Sequence, residues 1–225
     1  MTLWTAQEFY TKVKNDLDLN DEQFITSDEF EGYLNAGINR AEQLIHGIYE
    51  DYFLESANLS LTTDSSLVTF PTNIFAHKIR TISYVNGETK YEITRLRDIK
   101  QLPYIDSNSN YRYMITNTLA AGPQIKIYPA SRETSSTNVT AWFIRNAKVI
   151  TDAADTVDIP EAQNFILTYM KVQCLAKEMH PNLTLMAQQL EKEEQELIGI
   201  LSGMVPDEDT NIRMDQSLID DEYYS

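Results

Sequence analysis

The sequence is short of cysteine, glycine, histidine and positive charge. Cys174 is the one cysteine among 225 residues. No internal disulfide can form, no zinc-type Cys/His spacing exists, and synthesis in a reducing cytoplasm is expected. The seven glycines are scattered. They build no phosphate-cradling loop, and neither a GxSxG elbow nor an HExxH pair occurs. His46, His77 and His180 fall in three different predicted elements and are read as structural. Eighteen Lys and Arg stand against 34 Asp and Glu, a formal net charge of -16 with a sequence pI near 4.5. Stable nucleic-acid binding needs cations against phosphates, and no basic run is present, so a DNA-reading role is disfavoured. The acidity serves solubility, or forms a surface that repels DNA passing close by. No apolar run approaches the roughly 18 residues that a membrane span needs. Met1-Thr2-Leu3-Trp4 shows no basic region leading into an apolar one, so no secretory signal is expected there. The sequons at Asn58, Asn138 and Asn182 are accordingly chance matches.

What is present is a clear order of periodic segments. Hydrophobic residues make up 42% of the chain, enough for a core, and the length suits one domain or one carrying a large insertion. Thr5 and Glu8 form a capping box, with Trp4 and Phe9 as a hydrophobic staple, and predict a helix to about Leu17 with Tyr10, Val13 and Leu17 on one stripe. The device repeats: Thr26 and Glu29 with Ile25 and Phe30 open a second helix to about Phe53. Its stripe is Phe30, Leu34, Ala41, Leu44, Ile45, Ile48 and Tyr52. Gly32, Gly37 and Gly47 lie inside it, marking either close packing of another backbone or a long helix that tolerates them.

From Leu59 to Ile150 β-branched and aromatic residues dominate. Strands are predicted at Leu67–Phe70, Ile79–Val85, Glu88–Thr94, Tyr111–Thr116, Gln124–Tyr128 and Val139–Arg145. A two-residue Asn86-Gly87 turn joins the second and third, and one helical turn lies in Leu96–Leu102. Helix returns at Pro160 and Glu161, with Phe165, Tyr169, Val172, Ala176 and Met179 as the buried stripe. After His180-Pro181 comes a second helix marked by Leu183, Ala187, Leu190, Leu197 and Leu201. Its acidic run around Glu191–Glu196 is a solvated face.

The expected fold class is therefore α+β. N- and C-terminal helices (1–58 and 151–203) form an antiparallel helical bundle, with an inserted antiparallel β domain (59–150) and an extended acidic C-terminal tail (204–225). No catalytic, cofactor-binding or metal-binding residues are expected. An acid pair of glycosidase type depends on separation in space and cannot be read from abundant carboxylates. Tyr104, Tyr111 and Tyr113 near a polar loop fit sugar or protein binding as well as ordinary strand packing. The tail is polar yet keeps Ile212, Met214, Leu218, Ile219, Tyr223 and Tyr224, the pattern of a segment that orders on a partner.

Five stretches carry a resemblance. They are Ala36-Gly37-Ile38-Asn39 within the capped helix pair, and Phe70-Pro71 followed by Lys78-Ile79-Arg80-Thr81-Ile82. Next come Gln124-Ile125-Lys126-Ile127-Tyr128-Pro129-Ala130, then Thr140-Ala141-Trp142-Phe143-Ile144. Last is Asp158-Ile159-Pro160-Glu161. In this order, over most of residues 1–205, the chain resembles the head-to-tail adaptor, or tail tubular A-like, proteins of short-tailed phages, including gut podovirus-like phages. The resemblance implies a non-enzymatic virion protein without cofactor, at the head-tail junction and assembled in the bacterial host cytoplasm. It implies a ring of about twelve copies beneath the portal protein. The next tail or ring protein would bind its β part, and the C-terminal segment would reach toward the portal. DNA would cross the central channel during ejection without specific binding, and no membrane is involved. Another neck or head-completion protein of the virion is the alternative, ahead of a glycan-acting tail protein or a cytoplasmic regulatory protein.

Overall fold

The computed structural model describes residues 2–19, 25–59, 67–86, 88–106, 110–118, 122–129 and 139–205. Helix α1 (Ala6–Asp16) and helix α2 (Ser27–Ile48) both open on the expected capping boxes. The Thr5 amide donates to Glu8 at 2.7 Å and the Glu8 amide to Thr5 Oγ1 at 3.2 Å. Thr26 and Glu29 repeat the exchange at 2.9 and 3.3 Å. Each box satisfies backbone donors that a helix start otherwise leaves open. Trp4 meets Phe9 edge-on at 5.2 Å, completing the first staple.

Helix α2 stops sooner than its hydrophobic stripe predicts. After Ile48 the chain tightens into a 3-10 turn at Glu50–Phe53 and then runs as strand β1 (Leu54–Asn58), which sequence periodicity did not reveal. Strands β2 (Leu67–Thr69), β3 (Ile74–Asn86), β4 (Thr89–Arg95), β5 (Arg112–Thr118), β6 (Gly122–Tyr128) and β7 (Val139–Arg145) follow. Then come α3 (Gln163–Lys177) and α4 (Leu183–Met204). A hairpin forms where predicted, but its register differs by one: Asn86 pairs with Thr89, so it ends the β3 ladder and is not a turn residue. Gly87 of that turn lies outside the described residues, as do residues 206–225 of the tail.

The expected architecture of an antiparallel helical bundle with an inserted antiparallel β domain is corrected by the strand pairing. The chain is mainly one seven-stranded, curled mixed sheet, a half-barrel of order β1-β7-β3-β4-β5-β6-β2, with a few helices. It is mixed because Thr94 and Arg95 of β4 pair in parallel with Arg112 and Tyr113 of β5. A parallel neighbour cannot be reached by a hairpin, so residues 96–111 form a crossover containing a 3-10 turn at Ile99–Tyr104.

Two groups of buried side chains fill the molecule. One lies in the curl and includes Val68, Ile82, Ile93, Tyr113, Ile125, Ile127, Val139 and Ala141. The other joins the four helices to the sheet through Ile144 and Phe75. Helix α3 is central to the second group. It contacts α1, α2 and α4, so residues around much of its circumference are buried: Phe165, Ile166, Thr168, Met170, Cys174 and Leu175. The narrower stripe predicted for it fails at Ala176 and at Met179, which is 90% exposed.

Side-chain clamps hold the long connection after β7. Asn35 on α2 donates to the Ile150 carbonyl and accepts from the Ile150 amide, each at 2.9 Å. Arg145 pairs with Asp158 at 2.6 Å and lies over the Phe53 ring. Asp155 accepts from the amides of Thr151 and Asp152 and from Lys148 Nζ. The Lys148 bond, with those amides, holds its carboxyl down at about 2.

The three α2 glycines separate cleanly. A Cβ on Gly37 would lie 3.3 Å from both Ile166 Cγ2 and Tyr169 Cδ1, whereas Gly32 and Gly47 face open space. Gly37→Val, which also crowds the α2–α3 contact, is therefore expected to destabilise the fold by about 1–3 kcal/mol. Gly32→Ala and Gly47→Ala should each stabilise it by about 0.5–1 kcal/mol through helix propensity. Urea denaturation of the three variants checks the contrast; equal effects at all three positions would remove the close-packing account of Gly37.

Candidate functional site

Positive charge is scarce in the whole chain but not evenly spread. Residues 67–129 carry eight Lys and Arg (Lys78, Arg80, Lys90, Arg95, Arg97, Lys100, Arg112 and Lys126) against four acids, Glu88, Glu92, Asp98 and Asp106. The sheet region is thus net positive within a protein of net charge -16. Sequence inspection missed this because no two of these cations are adjacent; strand pairing brings them together.

Four of them, Lys78, Arg80, Arg95 and Arg97, converge where the sheet parts. Strand β4 ends at Arg95, while β3 on one side and β5 on the other continue past it. Two adjoining hollows of about 640 and 550 Å3 occupy this lane and share Ile79, Arg80 and Arg95. The first reaches Glu92, Leu96, Arg97 and Tyr113; the second reaches Glu50, His77, Lys78 and Ile115. The β3 wall is bulged, and its register against β7 shifts between Ile74 and Ile79 and again before Thr81. Ala76 and His77 take φ of 46° and 56°, a left-handed conformation that costs a residue with a Cβ about 1–2 kcal/mol each.

The cations fall into two sets. Arg80 reaches Asp51 Oδ1 and Glu50 Oε2, both at 2.6 Å, and Lys78 also donates to Glu50. The bond from Lys78, assisted by Arg80 against some desolvation, holds the Glu50 carboxyl below the usual carboxylate range. Arg95 and Arg97 have no ion-pair partner among the described residues. Together with Ile79, Leu96 and Ile115 they make a slot that is cationic and partly apolar. Such a slot suits an anionic group with apolar atoms beside it.

The other candidates lie apart. Tyr104 is 85% exposed beside Arg112, whereas Tyr113 is buried and its phenol is pushed up by that burial. Tyr111 packs edge-on against Tyr84 at 5.3 Å. His180 accepts from the Asn182 amide in the α3–α4 turn. His77 meets Phe70 at 5.0 Å, and His46 is stacked on Phe75 at 3.7 Å. The acids of the Glu191–Glu196 run line α4. The candidate partner-binding residues Ile212, Met214, Leu218, Ile219, Tyr223 and Tyr224 all lie outside the described residues. Among the described residues, no group of three or more His, Cys, Asp or Glu is placed to hold a metal ion, and no helix is long and apolar enough to cross a membrane.

Compared with protein-family models and with curated proteins, the chain matches none.

His46 gives the region behind the slot a pH dependence. Both ring nitrogens are buried without a hydrogen-bond partner, and Nε2 stands 3.5 Å from Glu42 Oε1. Burial lowers its pKa, with Glu42 opposing. Below the unfolded value of about 6.5 the unfolded chain then binds more protons than the folded one, so stability falls as pH drops through that value. His46→Phe should flatten the loss of urea-derived stability between about pH 7 and 5; an unchanged slope would show that His46 does not carry it.

Proposed function

We propose that this chain is a structural virion protein of a tailed phage, a subunit of an oligomeric adaptor ring between portal and tail, acting by contact and not by turnover. The observation that carries the reading is the ordered succession of the five sequence pieces in which the chain resembles such adaptors. In the fold these pieces are where the chain is tied together. Gly37 sits at the α2–α3 crossing, beside the clamp at Asn35. Residues 78–82 form the wall of the slot, and residues 124–128 and 140–144 supply β6 and β7. Asp158 and Glu161 receive Arg145 and Tyr52.

The charge distribution supports the same reading. A closed ring of identical subunits is made by heterologous contacts, in which one surface meets a different surface of the next copy. A subunit whose sheet region is net positive while the remainder is strongly negative carries two unlike surfaces of complementary sign. The acid-rich remainder also suits a channel through which DNA passes without being retained, because like charge repels phosphate. Portal and next tail protein are the partners of the two ring faces, and the tail residues Ile212, Met214, Leu218, Ile219, Tyr223 and Tyr224 contribute contacts made on assembly.

Among the described residues, every side chain that forms either buried core precedes Met204. A chain shortened after Met204 should keep its thermal transition and lose incorporation at the portal, read by negative-stain imaging of portal mixed with each form. Normal incorporation of the shortened chain would refute the role of the tail. Hydrolysis of cell-wall or capsule sugars by the intact chain, abolished when one or two acids become amides, would refute the non-enzymatic reading altogether.

A further inference from the structure

The lane beyond the end of β4 has the unused backbone of a missing strand. The Tyr113 carbonyl accepts from the Leu96 amide at 2.7 Å, so Tyr113 directs its backbone polar groups to the β4 side of β5. Backbone direction alternates along a strand, so Ile115 and Asn117 direct theirs to the same side. Their partners across the other side agree. Asn117 stands opposite Pro123, which has no N–H to donate, as expected of a pair that exchanges no ladder hydrogen bonds. Past Arg95 no strand is paired to Ile115 or Asn117 on the lane side among the described residues. Open strand edges recruit further strands, and extended peptides use this mode widely.

The walls specify what such a strand must carry. Arg95 and Arg97 demand negative charge, whereas Lys78 and Arg80 are already paired with Glu50 and Asp51, and Ile79, Leu96 and Ile115 demand apolar side chains. Residues 206–225 of this chain meet both demands. They hold seven Asp and Glu against one Arg, and within them Leu218-Ile219-Asp220-Asp221-Glu222-Tyr223 puts apolar and acidic residues side by side. In an extended segment this order gives each face an apolar residue and an acid, Leu218 with Asp220 and Ile219 with Asp221. The thirteen residues between α4 and Leu218 reach roughly 45 Å when extended, enough to leave one subunit and enter the next.

We infer that residues 218–223 of a neighbouring copy add to the sheet as a strand beside β5, in the slot lined by Arg80, Arg95 and Arg97. The ring reading supplies only the identity of the donor, an adjacent copy. An acidic peptide is favoured over nucleic acid because Glu50 and Asp51 already occupy Lys78 and Arg80 and Glu92 lines the slot, which leaves two cations, Arg95 and Arg97, too few to follow a phosphate backbone. These acids leave room for a short segment whose carboxylates meet Arg95 and Arg97 individually.

Disulfide trapping in the full-length chain tests this. Cys174 does not interfere, because it is buried and its thiol is pushed up to about 12 by that burial, with Glu178 and Glu29 adding. One chain carries Thr94→Cys and the other Tyr223→Cys, and the equimolar mixture is oxidised mildly. The expected product is a disulfide-linked pair containing one of each. Its yield should fall about tenfold when the Thr94→Cys chain also carries Arg95→Glu and Arg97→Glu. It should recover when Asp220, Asp221 and Glu222 of the donor become Lys. A pair formed no better than with Glu191→Cys on the exposed face of α4, or a yield indifferent to the charge changes, overturns the inference. So does a disulfide that forms only within one chain when both cysteines are placed in it. Binding of a short DNA duplex that is lost with Arg95→Glu and Arg97→Glu would also overturn it, by making the slot a nucleic-acid site. If trapping fails while rings still form on the portal, the slot assignment is wrong and the ring reading survives. If trapping succeeds and no ring forms, the slot assignment survives alone.

Discussion

The two halves of this molecule are held to each other along strand β7. One side of that strand, Val139 and Ala141, enters the core of the curled sheet, while Ile144 on the other side enters the core shared with the helices. Because β7 is flanked by β1 and β3, neither face can be repacked without disturbing the ladder on both sides. The residues after it extend the same constraint. Arg145, Asn146 and Ala147 bond to Asp158, the Ile74 carbonyl and Glu42 respectively. Ile150 is captured by Asn35. The chain from β7 to α3 has almost no regular structure, and it is held in place because its backbone groups are bonded to side chains from distant elements.

This arrangement explains why the helices do not stand alone. α3 is enclosed by α1, α2 and α4, and the open flank of the group is closed by Ile144 and Phe75 from the sheet. The close approach of α2 and α3 at Gly37 leaves no space for a side chain there. The sheet in turn is strong in its first half, β1-β7-β3-β4, and joined to β5-β6-β2 by only two parallel residue pairs. A sheet that narrows to such a junction keeps open backbone edges beside it. The cations gathered around the gap make it electrostatically unlike any other part of a strongly acidic chain.

Much of the local structure was legible from residue patterns. Both capping boxes, the first staple, the hairpin at residue 86 and most of the strand positions depend on neighbours within a few residues, and short-range chemistry specifies them. Three features were not. Strand β1, Leu-Glu-Ser-Ala-Asn, has little strand propensity of its own and forms because β7 offers an edge at Leu54–Asn58. The parallel β4–β5 junction depends on where a long crossover places its end. The buried face of α3 was misjudged because a single stripe describes a helix with one packed side, and α3 has several. The cationic slot escaped for a related reason: its members come from residues 50, 77–80, 95–97 and 115, and no linear run contains them.

Sequence alone determined where the first two helices begin, most of the extended segments apart from β1, and the large excess of negative charge, because each of these follows from side chains acting on their own stretch of backbone. Only the tertiary structure decided that the strands form a single curled sheet reaching back into the helical segment. It alone assembled scattered cations around a strand edge that no described strand pairs. Both outcomes depend on contacts between residues far apart in the chain, whose free energy exists only once the chain has closed on itself.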